Sequence, residues 1–456
     1  MTDRIHLNAF AMSCVGHQSA GLWRHPDDRG DRYTDLDHWV ELARLLEGAG
    51  FDSLFLADVL GIYDVYGGSR DAAVRAATQV PLGDPLMGVS AMAAATERLG
   101  FGLTVSVSYE HPYALARRFT TLDHLTRGRV AWNVVTGYLD SAAANLGLRR
   151  QLAHDQRYEL AEEYLEVCYK LWERSWDEDA VIRDAVRGVY TDPAKVHDVA
   201  HHGAWFDVPG PFLCEPSPQR TPVIFQAGAS SRGLAFAARH AEAVFVSGPT
   251  PTVVARNVAK LREQVAAAGR DPESVTVFVQ LAPVVAETSR EAEALYRSYL
   301  DASSREGALA LFGGWTGLDL ADVPPDEPLR YVESDAGRSA LASFTVDDPD
   351  REWTAGQVAE HLAVGGRGPV AVGAPDEVAD EMERWIDETG ANGFNLAYAV
   401  TPGTFEQVAG LVVPELRRRG RMPAEPARGT LREVLGSDRG HGPRLAPDHT
   451  GAAVTL

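Results

Sequence analysis

Strand and helix patterns alternate along almost the whole chain, and this alternation limits the possible folds more than any other feature. Short apolar runs stand at 5–12, 52–57, 100–108, 128–136, 221–227, 242–247, 274–285 and 393–399. Between and after them lie segments with apolar residues near helical spacing: 35–48, 84–99, 111–125, 155–172, 230–240, 252–269, 376–390 and 405–419. In 35–48 the stripe is Leu36, Trp39, Val40, Ala43 and Leu46, and Gly50 follows as a terminating glycine. Eight strands alternating with helices predict an α/β fold, a (β/α)8 TIM barrel rather than a doubly wound open sheet.

Two segments interrupt the pattern. One, about 173–220, follows the fourth helix, and the other, about 300–367, follows the seventh strand. Both are too long for ordinary βα loops. They read as insertions in a barrel spanning 1–420, at least one of them covering the mouth as a lid, with the second the better lid. The tail, 421–456, is rich in Pro, Gly and Arg and is expected to wrap another subunit or to be partly disordered.

Composition excludes several classes of function. A net charge of -21 disfavours nucleic acid and membrane surfaces, since phosphate neutralisation needs clustered Lys and Arg. The one basic run, Arg417 to Arg419, ends a helix, where the dipole accounts for it. No run of about 18 apolar residues suggests a membrane span, and the N-terminus lacks the apolar core of a signal peptide. Three well-separated cysteines, Cys14, Cys168 and Cys214, argue against a disulfide framework and make a reducing cytoplasm the expected compartment.

In a parallel barrel, chemistry is built at the C-terminal ends of the strands. Trp132, Asn133 and Thr136 stand at or near such an end in EHPYALARRFTTLDHLTRGRVAWNVVTG (110–137). His154 and Tyr158 share a helix face at i, i+4, where they either suit an anion such as phosphate or pack locally beside a capping Asp155. The run Ala227, Gly228, Ala229, Ser230 leads from a strand into a helix. It reads as a phosphate cradle or as a plain N-capped turn, and its pairing with His154 and Tyr158 favours phosphate. Asp58, followed by Tyr63 and Tyr66, closes an apolar strand, and Thr104 and Asn133 lie within or at the ends of the next two. All three can bond a ring edge or be satisfied core polar groups. Cys14 and His17 follow the first strand, where a thiol nucleophile is conceivable and a pocket-lining role is favoured. His197, His201 and His202 lack the glutamate and companion ligands of a zinc motif, so no metal is expected.

Several long strings together resemble the bacterial-luciferase-like superfamily: HLNAFAM, GLWRHP, FDSLFLADVLGIYDVYGG, the 110–137 stretch, HDQRYELAEEYLEVCYKLWE, GPFLCEPSPQRTPVIFQAG and GFNLAY. They are most similar to the group containing nitrilotriacetate, dibenzothiophene-sulfone and long-chain alkane monooxygenases, over roughly residues 4–420. The resemblance implies a two-component monooxygenase. It would use FMN as FMNH2 from a separate NAD(P)H:flavin reductase, with O2 as co-substrate, and insert one oxygen atom through a flavin C4a-(hydro)peroxide. The substrate would be a hydrophobic or sulfur- or nitrogen-containing organic small molecule. It places Asp58, Thr104, Asn133 and Gly137 at the flavin ring and ribityl chain. His154, Tyr158 and Ala227, Gly228, Ala229 and Ser230 would hold the phosphate.

The chain departs from that group in its pocket. Alkane-type members carry His where this chain has Tyr138. Alkane and sulfone types both carry a pocket His before a Gly-Gly pair, where ALALFGGWTG has Leu311. The expected substrate pocket is Phe10, Cys14, Gln79, Leu311 and Phe312, with Trp315 a further wall. His17, Tyr63 and Tyr138 are the expected catalytic contacts. The alternatives are a deazaflavin-dependent oxidoreductase of the same superfamily, a long-chain alkane hydroxylase and a flavin-storage protein. A homodimer or homotetramer is the expected assembly.

Overall fold

Eight parallel strands close into a ring in chain order. They are β1 His6–Met12, β2 Ser53–Ala57, β3 Gly100–Ser106, β4 Val130–Val135, β5 Val223–Gln226, β6 Ala243–Val246, β7 Thr276–Val285 and β8 Gly393–Ala397. Each pairs with the next, and β8 closes on β1 through registers such as Asn8 with Asn395. This computed structural model describes residues 4–228, 230–332, 337–348 and 351–456. The helices of the outer layer are α1 Leu36–Ala49, α2 Leu86–Ala94, α3 Pro112–Thr126, α4 His154–Tyr169, α5 Ser231–His240, α6 Pro251–Ala267 and α7 Pro375–Thr389. An eighth is built from Gly403–Gln407, a π-helical turn Val408–Val412 and Val413–Arg418. The alternation therefore forms the expected TIM barrel.

The barrel interior is packed rather than open. Phe55 stacks between Phe10 (5.2 Å, 6°) and Phe245 (4.4 Å, 10°), and Phe225 stands edge-on to Phe245. Gly102 makes room for this packing, because a Cβ there would lie 2.7 Å from the Phe225 ring. Trp132 faces the other way. It is fully buried between β4 and the helices, against Phe119, Tyr164 and Trp172, so it belongs to the core rather than to the site.

The tail neither dangles nor leaves its own barrel. Leu431 and Leu435 join Phe55, Ala131, Val223 and Phe225 in one buried cluster. Between them, buried Arg432 makes a two-pronged contact with Glu242 at 2.5 and 2.9 Å. The apolar Leu residues of this short helix outweigh the flanking Pro, Gly and Arg that suggest an unanchored tail.

The 173–220 segment forms two small antiparallel ribbons, Val181–Asp184 with Val189–Thr191 and His201–His202 with Asp207–Val208. The 300–367 segment carries the helices Arg305–Thr316, Arg338–Ala342 and Ala355–His361 around a core of their own, which includes Phe312, Leu341, Phe344 and Trp353. It returns through a ninth strand, Val370–Gly373, which pairs in parallel with the upper half of β7 from Ala282 to Val285. That strand and the helices Asp71–Ala76 and Asp140–Asn145 are absent from the sequence reading. Among the described residues, no helix is long and apolar enough to cross a membrane.

Candidate active site

At the C-terminal mouth lies a cavity of about 280 Å³. Its walls come from the ends of β2 to β5, the starts of α4 and α5, and the 300–367 segment through Trp315, Gly337, Ser339, Ala340 and Arg367. No residue of 173–220 lines it. The second insertion is thus the one that roofs the mouth.

At one end, two helix starts converge. Ser230 caps α5 by accepting from Gly233 N (3.1 Å), and its Oγ lies 3.3 Å from His154 Nε2. His154 Nδ1 is 2.8 Å from Asp155 Oδ1, which fixes the ring. Tyr158, one turn along α4, tilts against His154 at 5.2 Å. A Cβ on Gly228 would meet Tyr158 Oη at 2.9 Å, and one on Gly233 would meet it at 2.8 Å. Only glycines let the backbone close around that hydroxyl. Hydroxyl, imidazole and free helix N–H groups meeting here form a cradle for an anion such as phosphate. Arg157, also buried on α4, donates to Gly137 O. Ala229 lies outside the described residues.

The other end is made from strand termini. Thr104 lines the cavity; Asn133, behind it and not itself a wall residue, donates from Nδ2 to Thr104 Oγ1 (3.0 Å), and its buried Oδ1 has no partner among the described residues. An orphaned acceptor of this kind suits a ligand N–H. Gly137 (φ 65°) is packed against Gln151, Tyr109 and Ser106, so a side chain there would be both strained and crowded. Burial, and then the nearby Asp84 charge, push the Asp58 carboxyl up to about 7.

Beyond this cavity lies an inner chamber of about 140 Å³. Phe10, Met12, His17, Gln18, Tyr63, Gln79 and Gln280 line it. It shares Asp58, Val59, Tyr138, Trp315 and Arg367 with the outer cavity. A directed hydrogen-bond chain runs along its wall. Gln79 Nε2 donates to His17 O (3.0 Å), so its Oε1 is free to accept from Tyr63 Oη (2.8 Å). Tyr63 has then used its proton, and the 3.0 Å contact to Tyr138 must be donated by Tyr138. Burial lowers the His17 imidazole to about 3, so it is neutral. Burial also raises Tyr63 and Tyr138 above the usual phenol range.

Three expected pocket residues lie elsewhere. Leu311 is fully buried in a cluster with Tyr63, Ala72, Ala73 and Leu139, and Phe312 packs into the roof core; neither lines a chamber. The helix Arg305–Thr316 turns its Trp315 face to the cavity instead. Cys14 is buried outside both chambers, with its thiol pushed far up by burial and by Asp58. A thiol held protonated is no nucleophile. His197, His201 and His202 turn to separate carboxylates, at Asp177, Glu163 and Asp207. Sequence reasoning missed Arg157, Gln226 and Arg367. Arg157 follows His154 at i+3 and was there to be found; Arg367 carries no local signal.

A family model described as luciferase-like monooxygenase matches residues 10–393. The chain belongs to that family. This luciferase-like monooxygenase is 53% identical to a dimethyl-sulfide monooxygenase of Hyphomicrobium sulfonivorans, over 99% of this chain and 94% of that one. It is 49% identical to a long-chain alkane monooxygenase of Geobacillus thermodenitrificans, over 99% of this chain and 98% of the relative. A crystal structure of riboflavin lyase with modified FMN and riboflavin superimposes with a TM-score of 0.91 at 36% identity, covering 99% of this chain and 100% of that one. The luciferase-like monooxygenase is accordingly an enzyme of the oxidoreductase class.

Proposed function

We propose that this luciferase-like monooxygenase is the oxygenating half of a two-component system. It takes FMNH2 from a separate NAD(P)H:flavin reductase and inserts one atom of O2 into a hydrophobic or sulfur- or nitrogen-containing organic small molecule. The carrying observation is the two-ended cavity, with an anion cradle at the His154–Ser230 corner and the strand-end groups Asp58, Thr104 and Gly137 at the other end. The relatives named as monooxygenases, and the modified FMN in the riboflavin lyase structure, support the same reading.

In this reading His154, Tyr158, Gly228 and Ser230 hold the phosphate. Asp58, Thr104, Asn133 and Gly137 meet the ring and ribityl chain. The bound reduced flavin supplies the electrons that activate O2. The chain's own residues position, orient and dehydrate. Trp315 and its helix roof the cavity and keep water from the reacting centre. The Gln79–Tyr63–Tyr138 chain keeps the Tyr138 proton pointed at Tyr63, leaving Tyr138 Oη as an acceptor toward the chamber. His17 stays neutral beside Phe10, 4.4 Å away edge-to-face, and adds no charge to an apolar wall.

Anaerobic titration with FMNH2 and with a reduced deazaflavin cofactor tests the assignment. Saturable binding of FMNH2 is expected. On admitting O2 with a flavin reductase and a panel of thioethers and alkanes, a product heavier by one oxygen atom is expected. Binding of the deazaflavin alone, or oxygen uptake that no substrate alters, would overturn the proposal.

A further inference from the structure

Arg367 places a cation at the inner chamber without pairing it to a carboxylate of the described residues. Its guanidinium makes no ion pair and no side-chain hydrogen bond with any described residue, and its one close partner is the Trp315 ring, 5.2 Å away. Asp58 lines the same two chambers but forms no ion pair or hydrogen bond with it. The nearby phenols, Tyr63 and Tyr138, are held protonated by burial. An arginine stays charged in such a setting, and a half-buried guanidinium that faces a chamber with no ion-pair partner keeps its donors available to a ligand. The backbone holds it there regardless, because Arg367 stands three residues before the ninth strand's ladder to β7.

The flavin phosphate does not account for this cation. None of His154, Tyr158, Gly228 or Ser230 reaches the inner chamber, and none of Phe10, Met12, His17 or Gln79 reaches the cradle. The two ends are separate binding problems. We infer that the inner chamber takes a substrate with a single anionic head, a carboxylate or a sulfur oxyanion, that Arg367 grips through its forked N–H donors. The Trp315 face orients the guanidinium, and the aromatic wall at Phe10 and Tyr63 receives the apolar body that carries the reacting atom. The inference rests on the flavin reading above and narrows its substrate class, a hydrophobic or sulfur- or nitrogen-containing small molecule, to amphiphilic acids.

Benzoate and its neutral counterpart benzamide are suitable probes, titrated calorimetrically into the full chain with and without FMN. Wild type is expected to prefer benzoate by about tenfold or more, the size of one charge-assisted hydrogen-bond pair. Arg367→Met should abolish that preference and Arg367→Lys should retain part of it, while the FMN dissociation constant, read by flavin fluorescence, changes less than about twofold. Equal binding of the two probes by wild type, no binding of benzoate, or a preference that survives in Arg367→Met would each overturn the inference. If Arg367→Met does not fold, Arg367→Gln and the wild-type comparison decide the matter. Failure of wild type to bind FMN would instead sink the flavin reading, while the benzoate preference is still measured on the flavin-free protein.

Discussion

Ser230 Oγ lies 3.3 Å from His154 Nε2, so one contact ties the first turn of α5 to the first turn of α4. The same hydroxyl caps α5. Ser230→Ala therefore removes a cap and, in the proposed reading, a phosphate donor. It is expected to cost about 1 kcal/mol of stability, and to weaken FMN roughly tenfold where His154→Ala weakens it at least as much. Thermal melts and flavin-fluorescence titrations of both variants check this.

Tyr63→Phe breaks the wall chain in its middle. It leaves Gln79 Oε1 without its donor and Tyr138 without its acceptor. A fall in turnover of roughly ten- to a hundredfold is expected, with FMN affinity unchanged, since no flavin contact is lost. Tyr138→Phe should act on KM as well. Single-turnover and steady-state rates of the two variants separate these effects.

The Asp58 carboxyl is raised to about 7 by burial and by Asp84. The folded chain therefore binds this proton more tightly than the unfolded chain does. Its contribution is fully favourable below the ordinary carboxylate range and is lost as pH rises toward 7. Asp58→Asn escapes that loss. The flavin-free variant should match wild type near pH 4 and exceed it at pH 8 by roughly 2–4 kcal/mol, as read by urea denaturation. A variant equally stable at both pH values relative to wild type would show that Asp58 is solvated.

Gly314 lies inside the helix Arg305–Thr316, where alanine would ordinarily stabilise by up to about 1 kcal/mol. Here a Cβ would sit 2.0 Å from the Tyr63 ring. Gly314→Ala should thus destabilise by about 1–3 kcal/mol and mimic Tyr63→Phe in turnover, because it displaces the ring. A melt and a rate measurement suffice.

At the barrel floor, Arg432→Ala would strip Glu242 of its two-pronged partner. Loss of about 3–5 kcal/mol is expected, against about 2–5 kcal/mol for Leu431→Ala, which leaves a cavity but no stranded charge. Chemical denaturation of each ranks them.

The barrel was legible because parallel strands covered on both faces read as short, unbroken apolar runs, and the helices between them keep their period. The His154–Tyr158 and Gly228–Ser230 groups were legible for a related reason: each is a short local pattern. Leu311 and Phe312 were misread because the sequence does not show how a roof helix is rotated. Its rotation is set by Tyr63 packing against Gly314, a contact between distant segments. Arg367 stands in a glycine-rich turn without neighbours that announce it, and its meaning depends on what three separate strands fail to offer it. The ninth strand escaped notice because Val370–Gly373 lies between glycine- and proline-bearing runs, 365–369 and 373–375, which read as loop.

That short strand has a consequence for how such a barrel can diversify. It zips the returning end of the roof to β7, so Arg367 belongs mechanically to the frame, while Trp315 belongs to a helix with a hydrophobic core of its own. Much of the roof can be reshaped while the frame still holds the Arg367 backbone, provided Trp315, which orients the guanidinium, is kept. Shape selection and charge selection thus sit on separate modules, and one can drift while the other is kept.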